Sequence, residues 1–478
     1  MHNYEGVYIT GKWRAGSGER IEVHSPADSS VLGHVTEATS DDVDAAVQSA
    51  RDAGASGPWA RASKSDRSAA IGRLADEIQA RSSAFADVVS AEVGSPRKWS
   101  SFGQIGVAIG VLRSYQKITD EFAFDDTRPS ATGGEVLVQR LPVGVVGAIL
   151  PWNAPVFTAA LKLAPALAAG CTVVLKPSPE APLGVSMLTE AIEASGLPDG
   201  VINIVSGGVA TGEALVANSG VDKISFTGST AAGKQIGAAC AADVRRCVLE
   251  LGGKSAAIVL DDVVLDAETV GGLVTGVMAN NGQICVAQTR ILVPRNRYEE
   301  VIDALASAVR QMKIGDPADR ATQIGPVVNR AARDRIESAV ARAKSDGARI
   351  VTGGARPDGF DAGWFVTPTI VADVENNAEI AREELFGPVA VVIAYSHEDD
   401  AVALANDSKY GLAAAVWSTD RSRAARVAAR LRVGSVSVNS PGPIDFGSPF
   451  GGFKQSGIGR EGGPEGISAF VEPRSIIL

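Results

Sequence analysis

The sequence predicts an α/β protein built on a mainly parallel sheet. Three observations predict it. Short apolar runs recur from residue 143 onward, at 145–150, 172–175, 201–205, 223–226 and 256–260, each bounded by Gly, Pro, Asn or Asp. Helix-like segments separate them, at 157–169, 183–195, 209–218 and 231–242. Strands alternating with helices of this length need crossover connections, and so pair in parallel. Glycine is abundant, 52 of 478 residues, yet it falls between apolar runs rather than in low-complexity tracts, as many strand–turn–helix units require. No period of roughly 20–50 residues is visible, which argues against a solenoid or propeller.

The elements follow in order. The N-terminal part reads as short strands and then helices. Thr39 and Ser40 can cap a helix that opens on Asp41 and Asp42, whose carboxylates suit the positive end of the helix dipole. Helical patterning continues over 66–93 and 102–122. A polar stretch, 125–134, precedes an alternating run at 135–141 that looks like an edge strand. After the five apolar runs a second α/β stretch spans about 262–433. There Val301, Leu305, Val309 and Met312 form one helical stripe. Ile336, Val340 and Ala343 form another, ended by Gly347. The tail, 450–478, is glycine-rich and then strand-like. The edges near 135–141 and 470–478 need partners, and a second subunit is one way to supply them.

At roughly 150 residues per domain, 478 residues suggest about three domains. Hydrophobic residues make up 45% and charged residues 21%, which excludes a disordered chain. Lys and Arg number 45 against 55 Asp and Glu, a net charge of −10, and no basic cluster points to nucleic acid or an anionic membrane. The longest uncharged stretch, 141–161, is broken by Pro142, Pro151, Asn153 and Pro155. It suits a strand, a loop and a helix start better than a membrane span. Four His and four Cys, with no CxxC or HExxH, argue against a structural metal site or a disulfide framework. Few, scattered cysteines and no leader-like N-terminus lead us to expect a cytoplasmic protein without a metal.

Two phosphate-loop patterns need weighing. Gly228-Ser-Thr-Ala-Ala-Gly233-Lys234 fits a P-loop until Gln235, where a magnesium-binding hydroxyl should stand. The triphosphatase reading therefore fails. A glycine turn that opens a helix after a strand still suits a pyrophosphate. A plain strand–helix turn is the alternative. Gly457-Ile-Gly459-Arg-Glu-Gly462 is a formal GxGxxG, but no strand precedes it and 16 residues remain after it. It is expected to be a decoy for dinucleotide binding.

Of the cysteines, Cys171, Cys240 and Cys247 look like small core residues. Cys285 lies in the polar, turn-like run Asn280-Asn-Gly-Gln-Ile-Cys285 after an apolar helix, an odd place for a purely structural thiol. No His lies between residues 35 and 396, so a Cys–His hydrolase is disfavoured. Glu250, followed by Leu-Gly-Gly-Lys-Ser255, is the alternative base, with an exposed strand-end carboxylate as the bland reading.

Together these residues resemble the aldehyde dehydrogenase superfamily, the NAD(P)-dependent, non-phosphorylating and hydrolytic kind. The matching elements are Pro151-Trp-Asn153, Lys176-Pro-Ser, Phe226-Thr-Gly-Ser-Thr230, Glu250-Leu-Gly-Gly-Lys-Ser, Asn281-Gly-Gln-Ile-Cys285, Glu384-Leu-Phe-Gly-Pro388 and Pro449-Phe-Gly-Gly-Phe-Lys. Seven in the family's order cover nearly the whole chain. The resemblance implies a Rossmann-like cofactor domain over 1–122 and 142–250 and an α/β catalytic domain over 251–448. It also implies a small β oligomerisation hairpin, 123–141 with 469–478. A homodimer or homotetramer would follow.

By the same resemblance Cys285 is the nucleophile, Glu250 the base that activates water, and Asn153 an oxyanion donor together with the Cys285 backbone N–H. Lys162 and Lys254 would help hold the site and favour the thiolate. Ile149, Trp152, Lys176, Gly208, Phe226, Gly228, Ser229, Gly233, Leu251, Glu384 and Phe386 would bind the cofactor. Lys176 would hold the adenosine ribose, Gly228 and Ser229 the pyrophosphate, and Glu384 the nicotinamide ribose. Many NAD-preferring members carry Glu three residues after this lysine, where Pro179 stands here, with Glu180 next. NAD is favoured and NADP left open. Thr158, Leu161, Ile284, Val286 and Phe446, in the loop 440–448, would face the substrate. They are mostly apolar and the loop has no Arg or Lys, which suggests an uncharged aliphatic, terpenoid or aromatic aldehyde. A CoA-acylating enzyme is the nearest alternative, disfavoured by Glu250, and an inactive binding or structural protein on the same fold is the other.

Overall fold

An eight-stranded sheet carries the first half of the chain in the computed structural model, which describes residues 2–442 and 445–478. Its order is Gly457–Ile458, Arg246–Glu250, Lys223–Thr227, Val145–Ile149, Thr172–Lys176, Ile202–Ile204, Val7–Ile9, Lys12–Arg14. The five inner strands are parallel, and the outer ones join antiparallel. Four of these are the apolar runs 145–150, 172–175, 201–205 and 223–226 of the sequence, whereas the fifth run, 256–260, enters the second sheet and Arg246–Glu250 takes the remaining place; all are largely buried, as strands covered on both faces must be. The order reverses beside Val145–Ile149, since the next two strands step out on one side and the following two on the other. A crevice opens past the carboxyl ends at such a reversal.

A second, seven-stranded sheet runs Arg349–Thr352, Thr369–Ala372, Val389–Tyr395, Arg290–Pro294, Ala256–Val259, Ala413–Trp417, Ser435–Val438. All its pairings are parallel except that of Arg349–Thr352. Val301, Leu305 and Val309 are buried on the helix Tyr298–Arg310, but Met312 lies beyond its end. Ile336, Val340 and Ala343 are buried on Arg330–Ser345.

The helix Ser40–Ala55 is capped by Thr39, whose hydroxyl accepts from the Asp42 N–H while the Asp42 carboxylate accepts from the Thr39 N–H. The continuous helical pattern over 66–93 divides at Arg81 into Lys64–Ala80 and Ser82–Val93. The break lets Ile71, Leu74 and Ile78 and then Phe85, Val89 and Val93 enter one apolar cluster from different directions. Periodicity alone does not show such a turn. The polar stretch after residue 124 folds as the strand Asp125–Pro129 against Glu135–Pro142. The two edges that lacked partners in the sequence pair with each other, Val471–Ile477 against Glu135–Pro142. This three-stranded sheet then ends on Val471–Ile477 and Asp125–Pro129. No helix of the described residues is long and apolar enough to cross a membrane.

Candidate active site

The loop carrying Cys285 has an unusual backbone. Asn280, Asn281 and Gly282 have φ of 52°, 60° and 72° in succession, a left-handed run that Asn and Gly tolerate best. Side chains lock it. Asn281 Nδ2 donates to the carbonyls of Gly94 and Pro326, each at 2.8 Å, and its Oδ1 accepts from Gly325 N at 2.7 Å. Gln283 Oε1 accepts from Val328 N at 2.9 Å. At Gly282 a Cβ would stand 2.2 Å from the Gly387 carbonyl carbon, so only glycine fits. Asn153 is tied to the same loop. Its Nδ2 donates to Gln283 O at 2.8 Å, and Asn280 Nδ2 donates to Asn153 O at 3.0 Å. The second amide proton of Asn153 stays available.

Glu250 ends its strand buried, and among the described residues neither carboxylate oxygen has a hydrogen-bond partner. Burial first, and the Glu461 carboxylate second, push its carboxyl well above the usual range. Gly451 leaves room for it, because a Cβ there would lie 2.7 Å from Glu250 Oε1. Burial, reinforced by Glu384 and Glu250, pushes the Cys285 thiol up to about 12. Glu250 and Cys285 therefore lie within electrostatic reach of each other.

Lys162 and Lys254, expected to help hold the site, are both buried. Lys162 is fully buried and donates to Glu461 Oε1 at 2.7 Å and to Ser225 Oγ at 3.1 Å. Lys254 is buried with its ammonium depressed to about 7 by burial and by Arg290. Glu461 was missed altogether. It lies in the Gly457–Gly462 pattern, which folds as an edge against Leu249 and Glu250. No residue spacing announces that a carboxylate there meets a lysine 299 positions away. Replacing Lys162 with Met strands two buried carboxyls and is expected to cost about 3–5 kcal/mol of stability. Glu461→Met added to Lys162→Met should recover most of it. Denaturant midpoints check both, and a single-variant loss under about 1 kcal/mol would mean that water reaches the pair.

The crevice is built for an anion and an extended ligand. Ser229 caps the helix Thr230–Ala242, its Oγ accepting from Ala232 N at 3.2 Å. The Thr227 and Thr230 hydroxyls are buried without partners. Gly228 and Gly233 allow close packing, since a Cβ would lie 2.5 Å from the Phe226 ring and 2.3 Å from Leu251 respectively. Lys176 ends its strand buried, donating among the described residues to Pro177 O at 3.0 Å, and burial lowers its ammonium to about 8. The Gly208 N–H donates to Glu37 Oε1 at 2.9 Å, and Glu37 with Glu180 acts electrostatically on Lys176. Glu37 was also missed. Ile149 is buried at the end of the central strand. Trp152 meets Phe386 edge to face, with centroids 5.4 Å apart. Glu384 Oε1 accepts from Gly253 N at 3.0 Å, and burial raises its carboxyl to about 7. Spare buried hydroxyls, a cationic strand end and a glycine turn fit a dinucleotide with its pyrophosphate on the helix N-terminus.

Among the residues expected to face substrate, Ile284 and Val286 flank Cys285 and are half-buried. Leu161 is buried within the first core cluster. Thr158 is buried, its hydroxyl donating to Ala154 O at 2.8 Å. Phe446 rests on the helix Val107–Glu121, where a Cβ on Gly110 would lie 2.6 Å from its ring. Residues 443 and 444 of the loop 440–448 lie outside the described residues.

A family model described as the aldehyde dehydrogenase family matches residues 13–476. The chain belongs to that family. Geranial dehydrogenase of Castellaniella defragrans is 45% identical over 477 residues, which are 100% of this chain and 99% of the relative. An aldehyde dehydrogenase of Mycobacterium tuberculosis, solved in complex with NAD+, superposes with a TM-score of 0.97 at 44% identity, covering 100% and 98% of the two chains. A mutant aldehyde dehydrogenase C of Pseudomonas syringae, complexed with NAD+ and octanal, matches with a TM-score of 0.94 at 38% identity, covering 100% and 97%. The α/β architecture of this aldehyde dehydrogenase family member is thus that of solved relatives.

Proposed function

We propose that this protein oxidises an uncharged, largely apolar aldehyde to its carboxylic acid, with NAD as hydride acceptor. One observation carries the reading. A thiol on a locked left-handed turn, Cys285, lies within electrostatic reach of a buried, unpartnered carboxyl, Glu250. The Cys285 thiol gives up its proton to solvent, and the thiolate attacks the aldehyde carbon as the C=O π bond opens to a thiohemiacetal oxyanion. The free Asn153 amide proton and the Cys285 N–H receive the oxyanion, and removing one such donor typically costs about 3–4 kcal/mol in the transition state. A bound dinucleotide would supply the hydride acceptor that lets the thiohemiacetal become a thioester on Cys285. Glu250, once ionised, takes a proton from water, which attacks the thioester carbon and releases the acid. Lys162 holds Glu461 and thereby sets the field at Glu250.

Lys176 and the Gly228–Ser229 turn suit the adenosine and pyrophosphate. Glu384, Trp152 and Phe386 suit the nicotinamide end. The Glu37 and Glu180 carboxylates beside Lys176 would repel a 2′-phosphate, and this supports NAD over NADP. The apolar Ile284, Val286 and Phe446 support the substrate class. So do relatives named for geranial or bound to octanal. The domain boundaries of the sequence reading fit the two large sheets. The exposed Ile477 and Leu478, beside the free edge of Val471–Ile477, suit a homodimer or homotetramer.

An aldehyde panel run with NAD and with NADP, following reduced-cofactor absorbance, tests the assignment. Octanal and geranial with NAD should give the highest kcat/KM. A preference for succinate semialdehyde, whose carboxylate wants a basic anchor, would overturn the substrate class. Acyl-CoA formed on adding CoA would overturn hydrolysis.

A further inference from the structure

The helix Val107–Glu121 carries a glycine in its interior, Gly110, where glycine weakens a helix. Val111, Leu112 and Tyr115 enter the first core cluster, whereas Gly110 and Ser114, one turn apart, lie half-buried on another face. The Phe446 ring fills the space that a side chain at 110 would take. A Cβ there would lie 2.6 Å from its Cε2, 2.8 Å from its Cζ and 3.1 Å from its Cδ2. Ser114 Oγ donates to Phe446 O at 3.0 Å. Asp445 Oδ1 accepts from Gly447 N at 2.8 Å, which turns the chain at Phe446. The same segment touches the candidate site on either side of this seat. Pro441 O accepts at 2.9 Å from Nε2 of Gln288, three residues beyond Cys285. Gly451 abuts Glu250, whose Oε1 would stand 2.7 Å from a Cβ there. Phe446 thus sits on chain anchored beside the proposed nucleophile and beside its base, and the helix Val107–Glu121 sets how far its ring reaches.

We propose that Gly110 and Ser114 are specificity-determining positioning residues, which seat Phe446 and so fix how long an acyl chain reaches Cys285. The proposal rests on the aldehyde-oxidising reading above. Neither residue touches the reacting atoms. With no side chain at 110, the ring lies against the helix, leaves the approach open and offers a long apolar chain a wall. A side chain at 110 pushes the ring off the helix, because the atoms it meets belong to the far end of a rotatable side chain rather than to backbone. The displaced ring narrows the approach. An apolar pocket discriminates by the methylenes that it admits, so the loss falls on long aldehydes. Ser114 pins the backbone that carries the ring. Without its hydroxyl the wall is less fixed, and a long chain is held less well.

The test measures kcat/KM of the full-length protein with NAD on straight-chain aldehydes from acetaldehyde to decanal. In Gly110→Val the ratio of octanal to acetaldehyde should fall about tenfold or more, the scale on which apolar pockets sort chains. Gly110→Ala, which favours the helix, should move the ratio the same way by less. Adding Phe446→Ala to Gly110→Val should return the profile to that of Phe446→Ala alone, because the clash is then gone. Ser114→Ala should raise KM for octanal with kcat kept, and Ser114→Thr, which retains the donor, should restore it. An unchanged chain-length profile in Gly110→Ala and Ser114→Ala would overturn the proposal. So would a loss in Gly110→Val that is equal on every aldehyde and persists with Phe446→Ala, since that is damage to the helix. A wild-type protein that oxidises none of these aldehydes would overturn the aldehyde-oxidising reading as well.

Discussion

Cys285→Ser is expected to abolish reduced-cofactor formation, in the first turnover as well as the steady state. The hydroxyl occupies the same place but stays protonated at neutral pH, and no base activates it. No His lies between residues 35 and 396, and the two carboxyls that act on Cys285, Glu384 and Glu250, are themselves raised by burial. Loss of nucleophilic catalysis at such a centre removes essentially all of the chemical step. Rapid-mixing absorbance with excess aldehyde should show neither burst nor slope. Folding should be unaffected, since the loop is held by Asn280, Asn281 and Gln283 rather than by the thiol. The wild-type free enzyme should also show the cost of burying this thiol. With Cys285 pushed up to about 12, its alkylation by iodoacetamide is slow at neutral pH and rises as pH increases. Peptide mapping of alkylated Cys285 measures this, and a rate that plateaus near neutrality would show that another group lowers the thiol.

Glu250→Gln is the second large effect. It should leave a burst of reduced cofactor close to one per site and then lose turnover by about 10²–10⁴-fold, the range general-base catalysis supplies. Thiohemiacetal formation and hydride loss do not require Glu250, whereas thioester hydrolysis does. The sign of the pH dependence follows from the raised carboxyl. Only the ionised form can accept a proton from water, so wild-type steady-state turnover should climb with pH and fall off on the acid side. The glutamine variant should lose that climb. Steady-state turnover in the variant equal to wild type would remove Glu250 from the role, and a missing burst would place it in acylation. Glu461 adds a control. It shares the buried cluster with Glu250 and Lys162, so Glu461→Gln should shift the acid limb to lower pH while keeping turnover.

Much of this was legible from residue order alone. The parallel sheet was visible because a strand buried on both faces must be continuously apolar, and 145–150 and 172–175 have no other use for such runs. The Thr39 cap was visible because a cap bonds within three residues. Cys285 and Glu250 stood out because scarce histidine leaves few ways to activate a thiol. The break at Arg81 was not legible, since both flanking stripes obey one helical period and only their shared core shows that the chain turns. The edge strands were legible as unpaired, but their mutual pairing across more than 300 positions was not.

The sequence by itself determined the α/β class and singled out the proposed nucleophile and its carboxylate base, because local periodicity and the supply of reactive residue types are properties of order and composition. Only the tertiary structure decided the electrostatics around them. Lys162 proved to be the counter-ion of Glu461. Glu37 arrived beside Lys176 from 139 residues upstream. Charge interactions depend on distance and burial in space, and neither quantity is carried by position along the chain.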